Sequence, residues 1–451
     1  MVQINFSLRR DGSSRFGREV QFGDFPAGSI GWNISNEEFM SNLKDKFLDN
    51  LKINVGYGIT GNNSITDYGH LGSVGNTFYN FGGVISPGNT LGSLPNPFVT
   101  WEESKQFDIG LTGSLFKEKL SFEINLYEQI TEGALAAIPL SWIAGQGGYT
   151  GNQKDSRIRN QGFEVSFDYT PIRRNDLVWT TSLNISQYRN KILSYFDPRG
   201  FLSGVAGNGT NIAISRPGDP IGMLRGLKTQ GLFTKAQIDD PTVPKYAGAI
   251  EGSQNYLDGD GDGKLEIEDD YVILGSPHPD LMFGWNNQVR YKGFNFRATF
   301  AGQLGGKIYD LRREIMWNVD GNFNIDRQML DRFRPGDDPT TKTFPTTVSL
   351  TGSTTRYVRF PSDNKLYDGS YVALKNVYLG YNLGRLLAKN SLKFFNTLEI
   401  YASARNVFYL ASYEFGNPEV RRANDGSALR SVNYGSYPVS RTYTMGLNIT
   451  F

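Results

Sequence analysis

The sequence predicts an all-β protein, a transmembrane antiparallel β-barrel with short turns at one end and long loops at the other. Apolar and polar residues alternate with a period of two in one segment after another. The connections between these segments are alternately short and long. The composition, with 30 Phe, 24 Tyr and 52 Gly in 451 residues, is rich in strand formers and turn formers.

The alternating segments are predicted to be about twelve strands of roughly 8–14 residues each. The alternating residues that define them lie at 2–8, 30–34, 51–57, 107–111, 122–126, 163–169, 179–185, 283–291, 294–300, 370–382, 396–407 and 440–451. Successive side chains of a strand point to opposite sides, so each segment has an apolar face and a polar face. The polar face carries amide and charged groups, namely Glu123, Asn125, Glu164, Ser166, Asp168, Asn286, Gln288 and Arg290.

The connections alternate in length. The short ones are 36–49, 116–119, 172–176, 292–293 and 383–395. The long ones are 11–27, 61–102, 133–158, 191–280, 304–369 and 408–439. Loops of that length are uncommon in compact soluble domains. Outer-membrane barrels combine short periplasmic turns with longer extracellular loops, so the pattern predicts that arrangement.

A strand in lipid must satisfy its backbone by pairing with neighbours, and it turns its apolar side chains to the hydrocarbon. The amide and carboxylate side chains of the other face suit a wet or plugged lumen. A soluble sandwich or propeller remains the alternative, because an antiparallel sheet with one solvated face alternates as well. Strand length, loop asymmetry and the final aromatic residue favour the membrane barrel.

Composition excludes several classes of site. Hydrophobic residues are 39% of the chain, the mean hydropathy is −0.40, and no apolar stretch is long enough for a transmembrane helix. With no Cys, the chain forms neither disulfides nor thiolate metal sites. A net charge of +1 gives no support for a nucleic-acid partner. Two His residues, His70 and His278, are too few for a multi-histidine metal site.

Six segments, taken in order, resemble the SusC/RagA-type TonB-dependent transporters of Bacteroidetes outer membranes. The resemblance rests on RRDGSSRFG (Arg9–Gly17) with FPAGSIGWNIS (Phe25–Ser35) and EEF (Glu37–Phe39), LKINVGYGITGNN (Leu51–Asn63), WEESKQFDIGL (Trp101–Leu111), RNQGFEVSF (Arg159–Phe167), YLDGDGDGKLEIEDDYVILGSPHPDLMFGW (Tyr256–Trp285), and YVALKNVYLGYNL (Tyr371–Leu383) with ARNVFYL (Ala404–Leu410).

The resemblance covers the C-terminal half of the family's length, residues 1–451 here. It implies that about 12 strands are present of a barrel of about 22. The signal peptide, TonB box and plug of the family are not visible in the sequence. It also implies uptake of glycans or peptides, a SusD-like surface lipoprotein as partner, and the TonB–ExbB–ExbD complex acting through the missing N-terminal part. These residues alone are therefore expected not to drive import.

The last nine residues, YTMGLNITF, alternate and have aromatic residues at both ends, Tyr443 and Phe451. Barrels of the bacterial outer membrane commonly end in an alternating strand with a final aromatic, which the assembly machinery recognises. The resemblance therefore implies that Tyr443 and Phe451 belong to an assembly signal. An ordinary last strand that ends on Phe is the alternative.

The segment DGDGDGKLEIED (Asp258–Asp269) has the spacing of an EF-hand-type calcium loop. Asp258, Asp260 and Asp262 occupy positions 1, 3 and 5, Lys264 offers its carbonyl at position 7, and Asp269 stands at position 12. A shorter Asp replaces the usual Glu there. The pattern predicts a structural Ca²⁺ that pins a long external loop. The alternatives are Mg²⁺ or a solvated acidic turn.

No Ser/His/Asp set, HExxH motif or assignable pair of carboxylates supports an enzyme. The sequence thus predicts the barrel of an outer-membrane nutrient importer, in contact with lipid, whose substrate-binding residues are unknown. The second hypothesis is a secreted or surface β-protein that binds glycan and carries a structural calcium loop.

Overall fold

A computed structural model describes residues 1–44, 46–138, 140, 143, 148–205, 211–266, 268–317, 323–346, 360–384, 397–419 and 431–450. The chain divides into two compact units. The first comprises Met1–Pro171, Asn184–Gly200 and Arg216–Asp219, and the second comprises Ile172–Leu183, Phe201–Ser215 and Pro220–Phe451.

The first unit is built from long antiparallel strands. They are β1 (Val2–Gly12), β2 (Phe22–Asn33), β3 (Leu48–Asn62), β4 (Ser73–Phe81), β5 (Val84–Ser93), β6 (Glu102–Leu115), β7 (Leu120–Ile138), β8 (Tyr149–Arg173) and the second half of β9 (Leu177–Ser194). The hydrogen-bonded order is β1-β2-β3-β6-β7-β8-β9, while β4 and β5 form a separate two-stranded sheet. This unit also holds α1 (Ser41–Lys44) and the 3₁₀ turns Ile34–Asn36 and Glu38–Met40.

The second unit combines long strands with many short elements. Its strands are the first half of β9, then β10 (Phe201–Val205), β11 (Asn211–Ser215), β12 (Met223–Gly226), β13 (Thr229–Leu232), β14 (Gln254–Tyr256), β15 (Val272–Gly275), β16 (Leu281–Tyr291), β17 (Phe294–Leu304), β18 (Lys307–Asp310), β19 (Leu366–Asp368), β20 (Tyr371–Asn382), β21 (Thr397–Ala411), β22 (Val432–Asn433) and β23 (Thr442–Thr450). Its helices are α2 (Lys235–Asp239) and α3 (Arg313–Met316), with 3₁₀ turns at Arg327–Asp331, Pro339–Thr341 and Asp363–Lys365.

The long strands of the second unit follow the order β9-β16-β17-β20-β21-β23. Together with the first unit they account for the twelve strands that the alternation predicts. The predicted strand length holds for most of these strands, such as β1 with 11 residues and β20 with 12, but it is too short for β7, β8 and β9, which have 19, 25 and 18 residues. Periodicity ends where the strands leave the apolar zone, but backbone pairing continues beyond it.

Register fixes which side chains share a face. Ile109 of β6 lies opposite Leu126 of β7, and Leu126 lies opposite Phe163 of β8. On the other face, Gly110 lies opposite Asn125, which lies opposite Glu164. A slip of one residue would exchange the faces, so the hydrophobic pattern itself holds the register.

The short turns lie where the sequence predicts them, among the described residues. β6 and β7 are joined across residues 116–119, β8 and β9 across 174–176, and β16 and β17 across 292–293. Lys292 and Gly293 both have positive φ, 46° and 96°. Positive φ at both residues of a two-residue turn matches the twist of paired strands. The predicted turn 383–395 falls mostly outside the described residues.

The long connections of the second unit are folded rather than structureless. Four-stranded (β10-β11-β12-β15), three-stranded (β19-β18-β22) and two-stranded (β13-β14) sheets form there. They enclose apolar clusters, two of which have six buried members each among the described residues. One contains Ile212, Ala213, Leu224, Tyr309, Leu311 and Val432, and the other contains Leu227, Phe233, Tyr246, Tyr256, Leu265 and Phe360. The dry cores of this unit therefore lie in its connections.

None of the helices in the described part of the chain is long and apolar enough to cross a membrane.

Candidate functional site

The apolar face of the long strands is open rather than packed against a second sheet. Phe107 and Leu126 in the first unit are 43% and 51% exposed. Leu379 and Ile400 in the second unit are 48% and 50% exposed. Columns of large apolar side chains left open to this degree need a nonaqueous environment. They exclude the soluble sandwich, in which these columns would be buried.

The polar face of the first unit is a continuous hydrophilic surface. Asn125 and Glu164 lie opposite each other across β7 and β8, and Glu123 lies opposite Ser166. Asn125 donates a hydrogen bond to Glu123 at 2.8 Å. A concave patch of about 540 Å³ is lined by Glu123, Asn125 and Glu164 together with Asp108 and Thr112. The polar residues singled out from the sequence in this unit are thus brought together.

The polar face of the second unit carries an aromatic and cationic row. Arg297 lies opposite Gln288 and Tyr378 in the sheet register. Its guanidinium carbon lies 4.9 Å from the centre of the Tyr378 ring, and Tyr378 stacks on Tyr401 with ring centres 5.4 Å apart. Rings and guanidinium groups offer flat contact surfaces and hydrogen-bond donors to polar solutes. Alternation predicts the face, but not this row.

The folded connections of the second unit share a buried ionic cluster centred on Asp310, which has no exposed surface. Arg312 binds the Asp310 carboxylate in bidentate fashion at 2.9 and 2.7 Å. The same guanidinium donates to the Tyr413 hydroxyl at 2.9 Å and to the Phe415 carbonyl at 2.6 Å. Arg313, 1% exposed, forms an ion pair with Asp326. One cluster therefore connects residues that lie about a hundred positions apart.

This cluster is missed by sequence reasoning, although the run DLRRE, Asp310–Glu314, carries a signal. Opposite charges directly after an apolar strand are unusual unless they are paired. Pairing with distant Tyr413 and Phe415 depends on the tertiary fold.

The predicted calcium loop brings three of its residues together. One ligand atom from each of Asp258, Asp260 and Asp262 lies within 4.8 Å of the other two. Backbone N–H groups orient the carboxylates. Gly261 and Gly263 donate to the two oxygens of Asp258 at 2.7 and 2.9 Å. Gly261 and Gly263 have φ of 78° and 83°, which a residue with a side chain rarely adopts.

The remaining predicted ligands behave differently. The Lys264 ammonium lies 3.9 Å from Asp262. Asp269 is exposed and lies outside the aspartate cluster, and its assignment as a ligand stays a prediction. Asp270 is 2% exposed, and its carboxylate accepts N–H bonds from Gly259 at 2.7 Å and Glu266 at 2.5 Å. It therefore closes the loop, a role that spacing does not reveal.

Electrostatics in this loop favour a cation. Burial raises the pKa of Asp270 above its usual value, and the nearby charges of Asp258 and Asp260 add to the rise. Burial also opposes ionisation of Asp258, but N–H donors from Gly263 and Gly261 outweigh it and lower the Asp258 pKa. Close anionic oxygens with fixed orientation fit a hard cation such as Ca²⁺.

Tyr443 lies in β23, where it is exposed and faces Ala404 of β21. Phe451, its predicted companion in the assembly signal, lies outside the described residues. The signal stays a prediction.

The model of the family described as "TonB dependent receptor-like, beta-barrel" matches residues 2–450. The chain belongs to this family. The predicted barrel fold is thereby confirmed, and so is the predicted bacterial outer-membrane location, because members such as SusC are outer-membrane proteins. The open apolar columns of this TonB-dependent receptor barrel face lipid.

Relatives of this TonB-dependent receptor barrel include TonB-dependent receptor P3 of Formosa agariphila. It is 32% identical over 99% of this chain and 44% of its own length. TonB-dependent receptor SusC of Bacteroides thetaiotaomicron is 24% identical over 99% of this chain and 42% of its own. The chain thus spans less than half the length of these relatives, in agreement with the predicted half-length resemblance.

Among solved structures, the RagAB peptide transporter has the same fold. Its TM-score is 0.79, with 24% identity over all of this chain and 46% of that chain. The RagAB peptide importer in the open-open state gives a TM-score of 0.80 over 45% of that chain. The resemblance to SusC/RagA-type transporters is confirmed by these comparisons.

Proposed function

We propose that this barrel belongs to a TonB-dependent importer that takes up glycans or peptides and is not an enzyme. The observation that carries the proposal is the row of Arg297, Tyr378 and Tyr401 on the polar face of β17, β20 and β21. Ring faces stack on sugars and on peptide side chains, and a guanidinium binds carboxylates and hydroxyls. SusC and the RagAB peptide transporter are its relatives in sequence and fold.

A SusD-like surface lipoprotein is the proposed partner, and it would contact the folded connections between the long strands. The described parts of these connections hold apolar clusters and a buried ionic cluster, so they are folded and offer a defined surface. The TonB–ExbB–ExbD complex would act through another part of the whole protein.

Uptake by the whole receptor in its native cell tests the proposal. Deletion of the gene should stop growth on one class of nutrient, either an oligosaccharide or a peptide mixture. Reintroduction of the receptor with Arg297→Gln and Tyr378→Ala should restore outer-membrane levels but lower uptake at least fivefold, since two polar-face contacts are lost.

The matched control for uptake is Leu379→Ala. Leu379 directly follows Tyr378 but lies on the opposite, apolar face, so its uptake should equal that of the parent receptor. Equal uptake by the Arg297/Tyr378 variant and the control would reject the polar-face site. Unchanged growth of the deletion strain on every nutrient would reject the import role itself.

We propose in addition that the Asp258–Asp262 loop binds Ca²⁺ as a structural ion. Asp258, Asp260 and Asp262 would hold it, and the ion would offset their mutual repulsion. Calcium should raise the protease resistance of residues 250–275, and Asp260→Asn should reduce the apparent affinity by about tenfold because one anionic ligand is lost.

Asp239→Asn is the control for the calcium experiment. Asp239 is an exposed acid of the same connection, paired with Lys235 at 2.8 Å. It should leave the calcium response unchanged. Identical proteolysis with calcium and with a chelator in the parent protein would contradict the proposal, and Asp269→Asn will report whether that residue ligates.

A further inference from the structure

The polar face of the second unit holds a carboxylate group between three donors. The carboxylate belongs to Glu419, in the connection that follows β21. Lys375 donates to its Oε2 at 2.5 Å, and the Tyr371 hydroxyl donates to its Oε1 at 2.9 Å. The Tyr409 hydroxyl accepts from Lys375 at 2.8 Å and donates to Oε2 at 3.3 Å. We call Tyr371, Lys375 and Tyr409 the Lys375 site.

The Lys375 site lies on the lumen side of the barrel wall, toward the cell exterior. Arg297 and Gln303 are an even number of residues apart on β17, so they share the polar face. Gln303 lies opposite Tyr371 in the sheet register, and the Tyr371 and Tyr409 rings are 6.1 Å apart, centre to centre. β20 begins at Tyr371, after the connection that contains β18 and β19. Because long connections of such barrels face outward, a solute entering from outside reaches this site early.

The backbone around Lys375 departs from regular strand pairing. The register of β20 with β17 shifts between Leu374 and Asn376, so Lys375 is an extra residue of β20. The register of β20 with β21 shifts at the same point, and Asn406 of β21 has φ of 52°. A residue other than glycine adopts that conformation at an energetic cost, and such residues cluster at functional sites. Bulges re-aim side chains there, and this bulge places the Lys375 ammonium beside Tyr409.

The strands around the Lys375 site carry more positive than negative charge. Among the residues of β17, β20 and β21, the basic ones are Arg297, Lys375 and Arg405, and the acidic one is Glu399. Glu419 is an additional anion, which the following connection supplies. A wall with this excess of cations attracts an anionic solute that enters the lumen.

The Glu419 side chain is able to leave the Lys375 site while its backbone stays in place. The Glu419 N–H donates to the Asn417 side-chain oxygen at 3.0 Å, and Pro418 is buried. The side chains of Lys375 and Glu419 are 26% and 30% exposed, and an ion pair this open to water adds little net stability. Rotation about the single bonds of the Glu419 side chain frees the three donors. A solute carboxylate with further contacts on the wall therefore competes with Glu419.

We propose that the Lys375 site binds a carboxylate group of the transported solute, and that Glu419 holds the site until the solute replaces it. This inference rests on the proposed import function and narrows the substrate to acidic solutes, either acidic peptides or oligosaccharides of uronic acids. Tyr378 of the polar-face row follows Lys375 by three residues, roughly 10 Å along a strand. The solute thus carries its carboxylate about that far from the part that stacks on Tyr378.

Calorimetric titration of the purified whole receptor tests the site with two acidic probes, a triglutamate peptide and a trigalacturonate. Each is compared with its amidated, neutral form, and the acidic probe that binds identifies the source of the carboxylate. Lys375→Met should weaken its binding about tenfold or more, because a hydrogen bond between charged groups is lost. Glu419→Gln should tighten it about fivefold, because the competing anion is removed and more of the receptor is competent to bind. Two substitutions in a merely structural ion pair would act in the same direction.

Lys307→Met is the matched control, because Lys307 is a half-exposed lysine of the same unit that lies 3.8 Å from Asp368. It should leave binding unchanged, and Lys375→Arg, which keeps the charge, should retain most of it. Heat-modifiable migration checks that each variant is folded. Equal affinity for acidic and amidated probes, binding of neither acidic probe, or weaker binding by Glu419→Gln overturns the Lys375 site. If the deletion strain still fails to grow on its nutrient in that case, the import function stands without this site.

Discussion

At the scale of single residues, burial decides which charges matter. Asp310 and Arg312 form a bidentate pair in which Asp310 has no exposed surface, whereas Arg199 pairs with Asp197 while 88% exposed. An exposed pair in water contributes little to stability, because solvent screens it and both side chains lose entropy. A buried carboxylate deprived of its partner keeps its full desolvation cost.

Arg313 lies 3.6 Å from the same Asp310 carboxylate and remains as a second partner. Arg312→Met should therefore destabilise the folded connections by about 1.5–3 kcal/mol, the contribution of hydrogen bonds to a charged group. Hydrogen exchange of residues 305–317 and 410–417 should rise, since Tyr413 and Phe415 lose the same donor. Arg199→Met should change exchange by less than about 1 kcal/mol. Equal protection in the two variants would show that the Asp310 cluster does not hold these connections together.

The calcium loop shows which ligand positions the spacing of the motif can predict and which it cannot. Positions 1, 3 and 5 of the motif converge because they follow one another in a tight turn. Whether the residue at position 12 reaches the other ligands depends on the path of the chain after Leu265, which is buried in an apolar cluster. That packing turns Asp270 inward and leaves Asp269 exposed.

At the scale of elements, the hairpins depend on backbone conformation at a few positions. In the β16–β17 hairpin, Gly293 has φ of 96°, and an added Cβ would lie 3.2 Å from the Asn382 carbonyl oxygen. A side chain at positive φ costs about 1–2 kcal/mol. Gly284 of β16 has no such φ, and a Cβ there would meet no atom within 4 Å.

Gly293→Ala should slow assembly and lower the thermal stability of the hairpin, whereas Gly284→Ala should be neutral. Heat-modifiable migration over time after dilution from urea into detergent measures both effects. If the two alanine variants refold alike, the left-handed turn is not what limits this hairpin.

At the scale of the whole molecule, each long strand has a lipid face and a polar face. Ile124 lies in the middle apolar row, opposite Leu111 and Val165, and Glu123 lies on the reverse face. A Lys on the lipid face at mid-depth costs about 2–4 kcal/mol in a barrel, whereas positions facing the lumen tolerate charge.

Ile124→Lys should lower the free energy of unfolding from lipid vesicles by that amount, and Glu123→Lys should change it by less than about 1 kcal/mol. Guanidinium titration followed by tryptophan fluorescence gives both values. A larger loss for Glu123→Lys than for Ile124→Lys would reverse the assignment of the faces.

The sequence by itself determined the strands, their two faces, the short turns and the family, because a period of two is a local property of the backbone. It also located the three converging aspartates, which are neighbours in a turn. Only the tertiary structure decided the Arg297–Tyr378–Tyr401 row, the Asp310 cluster and the choice of Asp270. Each of these depends on strand register or on packing between segments far apart in the chain, and no local pattern records which distant partner a side chain meets.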